Sequence, residues 1–135
     1  MTRLLNGLIG LFALFVFLPA DVVAQPAAVS TGGFENQESS IDGGWRIETR
    51  DDGRYLVFDD DFRTRRGPDL KIFLSIEAAA NVTGDNAANG LFLAELESHR
   101  GTQAYRLPDD LDLEAYASVV IHCERFSKLW GAGDL

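Results

Sequence analysis

"WRIETRDDGRYLVFDDDF", residues 45–62, decides the fold class. Its first six residues set Trp45, Ile47 and Thr49 on one face and Arg46, Glu48 and Arg50 on the other, the two-residue period of a half-buried strand. "DDGR" (51–54) then supplies a hairpin turn in which Gly53 is free to take positive φ. The return stretch "YLVFDDDF" lines up Leu56, Phe58 and Phe62.

Working outward, "RTRRGPD" (63–69) breaks the strand at Pro68, and "LKIFLS" (70–75) resumes with Leu70, Ile72 and Leu74 on one face. "IEAAANVTGDNAANG" (76–90) has no strand period and reads as a long connection with one helical turn around residues 77–80. A strand follows in "LFLAELES" (91–98), a turn and strand in "HRGTQAYRLP" (99–108), an acidic connection in "DDLDLEAY" (109–116), and the most apolar β-branched run in "ASVVIHC" (117–123). Short strands punctuated by Gly, Pro and Asp predict an all-β sandwich or compact barrel of seven to nine strands, without internal repeats.

Towards the other end, "MTRLLNGLIGLFALFVFLPADVVAQPAA" carries Arg3, an apolar run from Leu8 to Leu18 and the small-residue stretch "VVAQ". That order predicts a signal peptide over 1–24, cleaved after Ala24, and an exported product, periplasmic or extracellular, whose short leader and following linker look bacterial. The run is shorter than the roughly 18–20 residues that a membrane span needs. No cysteine follows it closely, which argues against a lipid anchor. Residues 25–40 read as a linker with "GGF" (32–34) as a first edge strand, and 41–135 as the β domain.

Cleavage would remove one positive and one negative residue, Arg3 and Asp21, so the net charge of −9 is retained. An acidic surface repels phosphate, which argues against nucleic acid or anionic membrane as a partner. Asp59, Asp60 and Asp61, and likewise Asp109, Asp110, Asp112 and Glu114, lack the spacing of a calcium loop and read as solvated turns. "NVT" (81–83) matches a glycosylation acceptor, of consequence only in a host with that machinery. Ser98 and His99 have no nucleophile elbow around them. Trp45, Trp130, Tyr105 and Phe126 read as core aromatics, with the Tyr105 hydroxyl available to tie a connection to the sheet.

Three segments, "GPDLKIFL", "GTQAYRLP" and "VVIHCERFSKLWGAGDL", together resemble the DM-thirteen domain, a small extracellular β domain proposed to take part in electron transfer. The matching residues are Gly67, Pro68, Asp69 and Leu70; Leu93 and Leu96; Gly101, Gln103, Tyr105, Leu107 and Pro108; and Ile121, Cys123, Phe126, Trp130, Gly131 and Leu135. The resemblance begins near Gly33 and departs at Ala94, where that family tends to have Gly, and at Gly133, where it tends to have Ala. It implies that Cys123 is the signature cysteine, with a redox role as a bare thiol or as the attachment point of a prosthetic group such as haem.

Cys123 is the one cysteine of the chain, so no intrachain disulfide forms, and four fates are open: a buried inert thiol, an intermolecular disulfide, a redox thiol or a ligand. Val119, Ile121 and Cys123 share a strand face, and a free cysteine packs like a small hydrophobe. Arg125, two residues on, would stabilise a thiolate if the strand continued that far. A redox thiol without a resolving cysteine needs an external redox partner, another exported protein, which points to an electron-transfer or binding module more than to a self-contained enzyme. As cofactor ligands the candidates beside Cys123 are His122 and His99. Haem would require the thiolate as axial ligand, since the c-type Cys-x-x-Cys-His is absent. Copper would require His122 and Cys123 on one ion, yet neighbours in a strand point to opposite faces; zinc lacks a ligand set. No metal site is expected. The rival to the redox reading is a binding module in which Cys123 only packs.

Overall fold

A computed structural model describes residues 28–135; the expected signal peptide lies outside the described residues. The strands run in order β1 (Ala28–Gly33), β2 (Asn36–Gln37), β3 (Ile41–Asp42), β4 (Gly44–Arg50), β5 (Gly53–Phe58), β6 (Arg63–Thr64), β7 (Leu70–Ser75), β8 (Leu91–Glu95), β9 (Gln103–Arg106), β10 (Ser118–Cys123) and β11 (Lys128–Asp134). Three of these, β2, β3 and β6, are two-residue pairings, so the longer strands fall within the expected number.

The strands form two main antiparallel sheets, β1-β4-β5-β9 and β2-β11-β10-β7-β8, with β3 and β6 as a small third pair. Neither main sheet closes on itself, which settles the sandwich against the barrel. Between them lies one core to which Trp45, Ile47, Leu56 and Phe58 contribute from the first sheet and Ile72, Leu74, Val119 and Ile121 from the second. A smaller core lies on the outer face of the second sheet. There Phe73, Val120, Leu129 and Ala132 are covered by Ala79, Val82 and Ala87 of the 76–90 connection, which contains two 3₁₀ turns, Ala79–Asn81 and Ala87–Asn89.

The hairpin forms as its period demands: β4 and β5 pair from Trp45↔Phe58 to Arg50↔Gly53, with Gly53 at φ 147°. Thr49, expected inside, is exposed because the strand there runs past the core towards the turn. Glu48, expected outside, is 6% exposed because Arg46 and Arg50 close over it on the outer face. Phe62 reaches the core by a turn, not by continuation of β5. Its N–H donates to the Asp59 carbonyl, and its ring stacks on Phe58 with centroids 4.5 Å apart. The stretch read as a linker is strand from Ala28, since β1 pairs with β4 and Asn36–Gln37 pair with β11.

A β-bulge interrupts the β10–β11 ladder, where Ile121 pairs with Gly131 but His122 with Leu129. The extra residue, Trp130, turns inward and donates its indole N–H to the Thr64 hydroxyl at 2.9 Å. Gly131 then also faces the inner core, against Phe34 and Ile41.

Gly133 has no room for the Ala that the resemblance suggested, because a Cβ there would collide with the Gly33 carbonyl oxygen. Gly133→Ala should therefore lower stability by about 1–3 kcal/mol in denaturant unfolding; an unchanged midpoint would show that β1 shifts freely. Hydrogen bonding from Arg50 holds the Glu48 carboxyl below its ordinary value, with Arg46 adding to it and desolvation opposing. Its stabilisation is thus present above about pH 4.5 and lost as pH falls through the lower folded value. Glu48→Gln should cost about 1 kcal/mol at pH 7, and the difference from the parent chain should narrow progressively in unfolding curves as the pH is taken below 4.5.

Candidate functional site

Cys123 is the last residue of β10, the middle strand of the five-stranded sheet, and pairs with Leu70 on one side and Lys128 on the other. Its side chain points into the inner core and is 0% exposed. The alternation expected of Val119, Ile121 and Cys123 holds, since all three lie in that core.

The strand stops at Cys123. Residues Glu124–Phe126 form a 3₁₀ turn, and Ser127, at φ 47°, reverses the chain into β11. Arg125 therefore does not share a strand face with the thiol; it lies on this turn and is exposed. Phe126, expected in the core, is 64% exposed for the same reason. The turn is tied down by the Glu124 N–H, which donates to the Asp69 carbonyl at 3.0 Å, and by Lys71, whose ammonium bridges the Glu124 and Asp69 carboxylates. Lys71 is held above its ordinary value chiefly by the hydrogen bond to Glu124. This clamp joins positions 53 residues apart and has no local signal in the sequence.

The three segments behind the family resemblance converge on this end of the sandwich. Gly67 leaves space that the Leu70 side chain fills, and Leu70 pairs with Cys123. The Leu70 carbonyl accepts from the Leu96 N–H at 2.9 Å, which lays the 96–101 loop alongside. Gln103 holds that loop by accepting from the Ser98 N–H and donating to the Ser98 carbonyl, both at 3.0 Å. The Tyr105 hydroxyl accepts from the Glu97 N–H and donates to Gln103, the tie its position suggested. Burial pushes the Tyr105 hydroxyl up to about 12.

The two histidines are not brought to the thiol. His122 points to the opposite face of the sheet, where it is 3% exposed beside Phe73, their ring centroids 6.2 Å apart. Neither ring nitrogen has a hydrogen-bond partner within the protein. Burial lowers its pKa, against weaker opposite pulls from the Gly84 backbone, Glu124 and Asp69. His99 is half-buried in the 96–101 loop, where its carbonyl accepts from the Thr64 N–H at 2.8 Å.

The residues around Cys123 do not fit haem. An axial thiolate needs open space on the sulfur's side, whereas this sulfur is enclosed by apolar side chains. Two surface clefts, of about 570 and 420 Å³, are lined by residues 30, 54, 111–114, 116 and 135 and by residues 42–43, 60–63 and 100–101, none of them Cys123, His122 or His99. Among the described residues no group of three or more His, Cys, Asp or Glu side chains is arranged to hold a metal ion. What the arrangement offers chemically is one enclosed thiol at the end of β10, directly followed in the chain by a clamped turn.

No curated protein and no solved structure matches the chain. The family model described as "Electron transfer DM13" matches residues 33–135, the span that contains all three converging segments and Cys123. By that match over most of its length, the chain belongs to the electron-transfer DM13 family.

Proposed function

We propose that the chain is an exported electron-transfer module in which Cys123 is the redox group, working by thiol–disulfide exchange with external partners. The observation that carries this reading is that the one cysteine of an electron-transfer family member stands where the family's three motif segments meet. Export rests on the signal-like order of the first 24 residues.

In the exchange, Cys123 gives up its proton and its sulfur attacks a partner's disulfide. The partner's S–S bond breaks, the leaving sulfur takes a proton, and Cys123 is held as a mixed disulfide. A thiol from a second molecule then attacks the partner-derived sulfur, forming a new disulfide there and returning Cys123 to the thiol. Both sulfur reactants come from outside, because the chain has no second cysteine. The net charge of −9 favours a partner that presents a basic surface. Because Cys123 is enclosed, exchange requires a local opening at the end of β10, and Arg125 on the turn that follows is then the cation nearest in sequence to the developing thiolate.

Complete burial in the main core favours a second reading, a binding module in which Cys123 only packs. Oxidised glutathione separates the two. On the redox reading, the native chain at pH 7.5 gains one glutathione by intact mass, reversed by dithiothreitol and absent from Cys123→Ala. If the native chain stays unmodified under conditions that fully modify the unfolded chain, the packing reading stands. Added haem should give no stoichiometric Soret band; a band lost in Cys123→Ala would overturn the misfit argued above.

A further inference from the structure

The mechanism just described leaves His122 unused, and His122 is the most anomalous polar group in the fold. An imidazole 3% exposed with no protein partner on either nitrogen is rare, since buried polar atoms are nearly always hydrogen-bonded. It shares the outer face of β10 with Val120 and so lies in the small core roofed by the 76–90 connection. Val82 belongs to that roof, and Gly84 packs so closely on the Ser127 carbonyl that no side chain fits between them. The roof over His122 therefore bears directly on the turn that begins at Cys123.

We propose that His122 is an acid-sensitive latch: its protonation lifts the 76–90 connection off the sheet, releases the 124–127 turn and opens the path to Cys123. The proposal deepens the redox reading above by naming how access to that same thiol is regulated.

The neutral ring is accommodated by apolar neighbours, whereas an imidazolium there would be a buried charge that the Gly84 backbone, Glu124 and Asp69 offset by less than burial costs. The charged groups on the surrounding elements do not remedy this. Asp69 and Glu124 are engaged by Lys71, Lys128 on β11 is a cation itself, and Asp85 on the connection is exposed. The cheapest relief is to hydrate the ring by lifting the connection, which makes no backbone–backbone hydrogen bond to the sheet. It is pinned mainly by side chains: Asn36 donates to the Ala79 and Val82 carbonyls, Ser118 donates to the Glu77 carbonyl, and Asp134 accepts from the Ala79 N–H. An opened ring takes up a proton near the ordinary value of about 6.5, so opening grows as pH falls below it, by about tenfold between pH 7.5 and 5.5.

Amide hydrogen exchange on the full chain tests the latch, with rates corrected for the intrinsic pH dependence. Protection of residues 82–84 and 124–128 should fall about tenfold from pH 7.5 to 5.5 relative to β4 and β5, and should not fall in His122→Phe or, should that variant fold poorly, in His122→Leu. Labelling of Cys123 by 4,4′-dithiodipyridine, which reacts in acid, should accelerate over the same range in the parent chain and in His99→Gln. A flat exchange profile in the parent chain, an equal fall in the His122 variants, or opening without faster labelling would each overturn the latch. The redox reading fails separately, if Cys123 is labelled as expected but forms no glutathione adduct.

Discussion

The structure depends on one strand with two dry faces. β10 is buried from Ser118 to Cys123, flanked by β7 and β11, so its inward residues build the sandwich core and its outward residues need a second cover. A sheet in a two-layer sandwich ordinarily leaves its outer face to water. Here Val120, Phe73, Leu129 and Ala132 make that face apolar, which is why a connection without strand period is held down over it. The long 76–90 segment is thus a third, partial layer, and its contacts follow from the composition of β10.

The sandwich was legible because its strands obey local rules. The hairpin at 45–58, the Leu70–Ile72–Leu74 face and the Val119–Ile121–Cys123 face all follow from a two-residue period, and the structure keeps each. What was not legible depends on pairs distant in sequence. Glu48 is covered because two arginines on its own strand close over it, and Phe62 is buried because the chain turns back after β5. Of β1 only the Gly32–Gly33 end matches the edge strand expected at "GGF"; Ala28–Thr31 read as linker because so short a run of mostly small residues carries little period, and its strand is imposed by pairing with β4.

The site shows the same division. Cys123 was identifiable as the one cysteine, and its inward direction followed from alternation. The end of the strand directly after it was not, because "ERF" has no Gly or Pro to mark a break and Ser127 takes the left-handed conformation without being glycine. That break leaves Arg125 and Phe126 in solvent, away from the strand face of the thiol and from the core. The isolation of His122 was equally hidden, since strand period places a side chain on a face but does not say what covers the face.

The enclosure of Cys123 also sets its chemical lifetime. An exposed thiolate in an oxidising compartment is carried by peroxide through sulfenic acid to sulfinic and sulfonic forms, the last two beyond ordinary recovery. Enclosed in the core, the sulfur would meet peroxide and a partner only during the same brief openings, so loss by over-oxidation scales with the open population. A partner that docks on the turn and captures the thiol as it emerges competes for each opening directly. If Cys123 exchanges as proposed, its buried position works as a selectivity filter in time, sparing the sulfur from small oxidants during the long intervals when no partner is present.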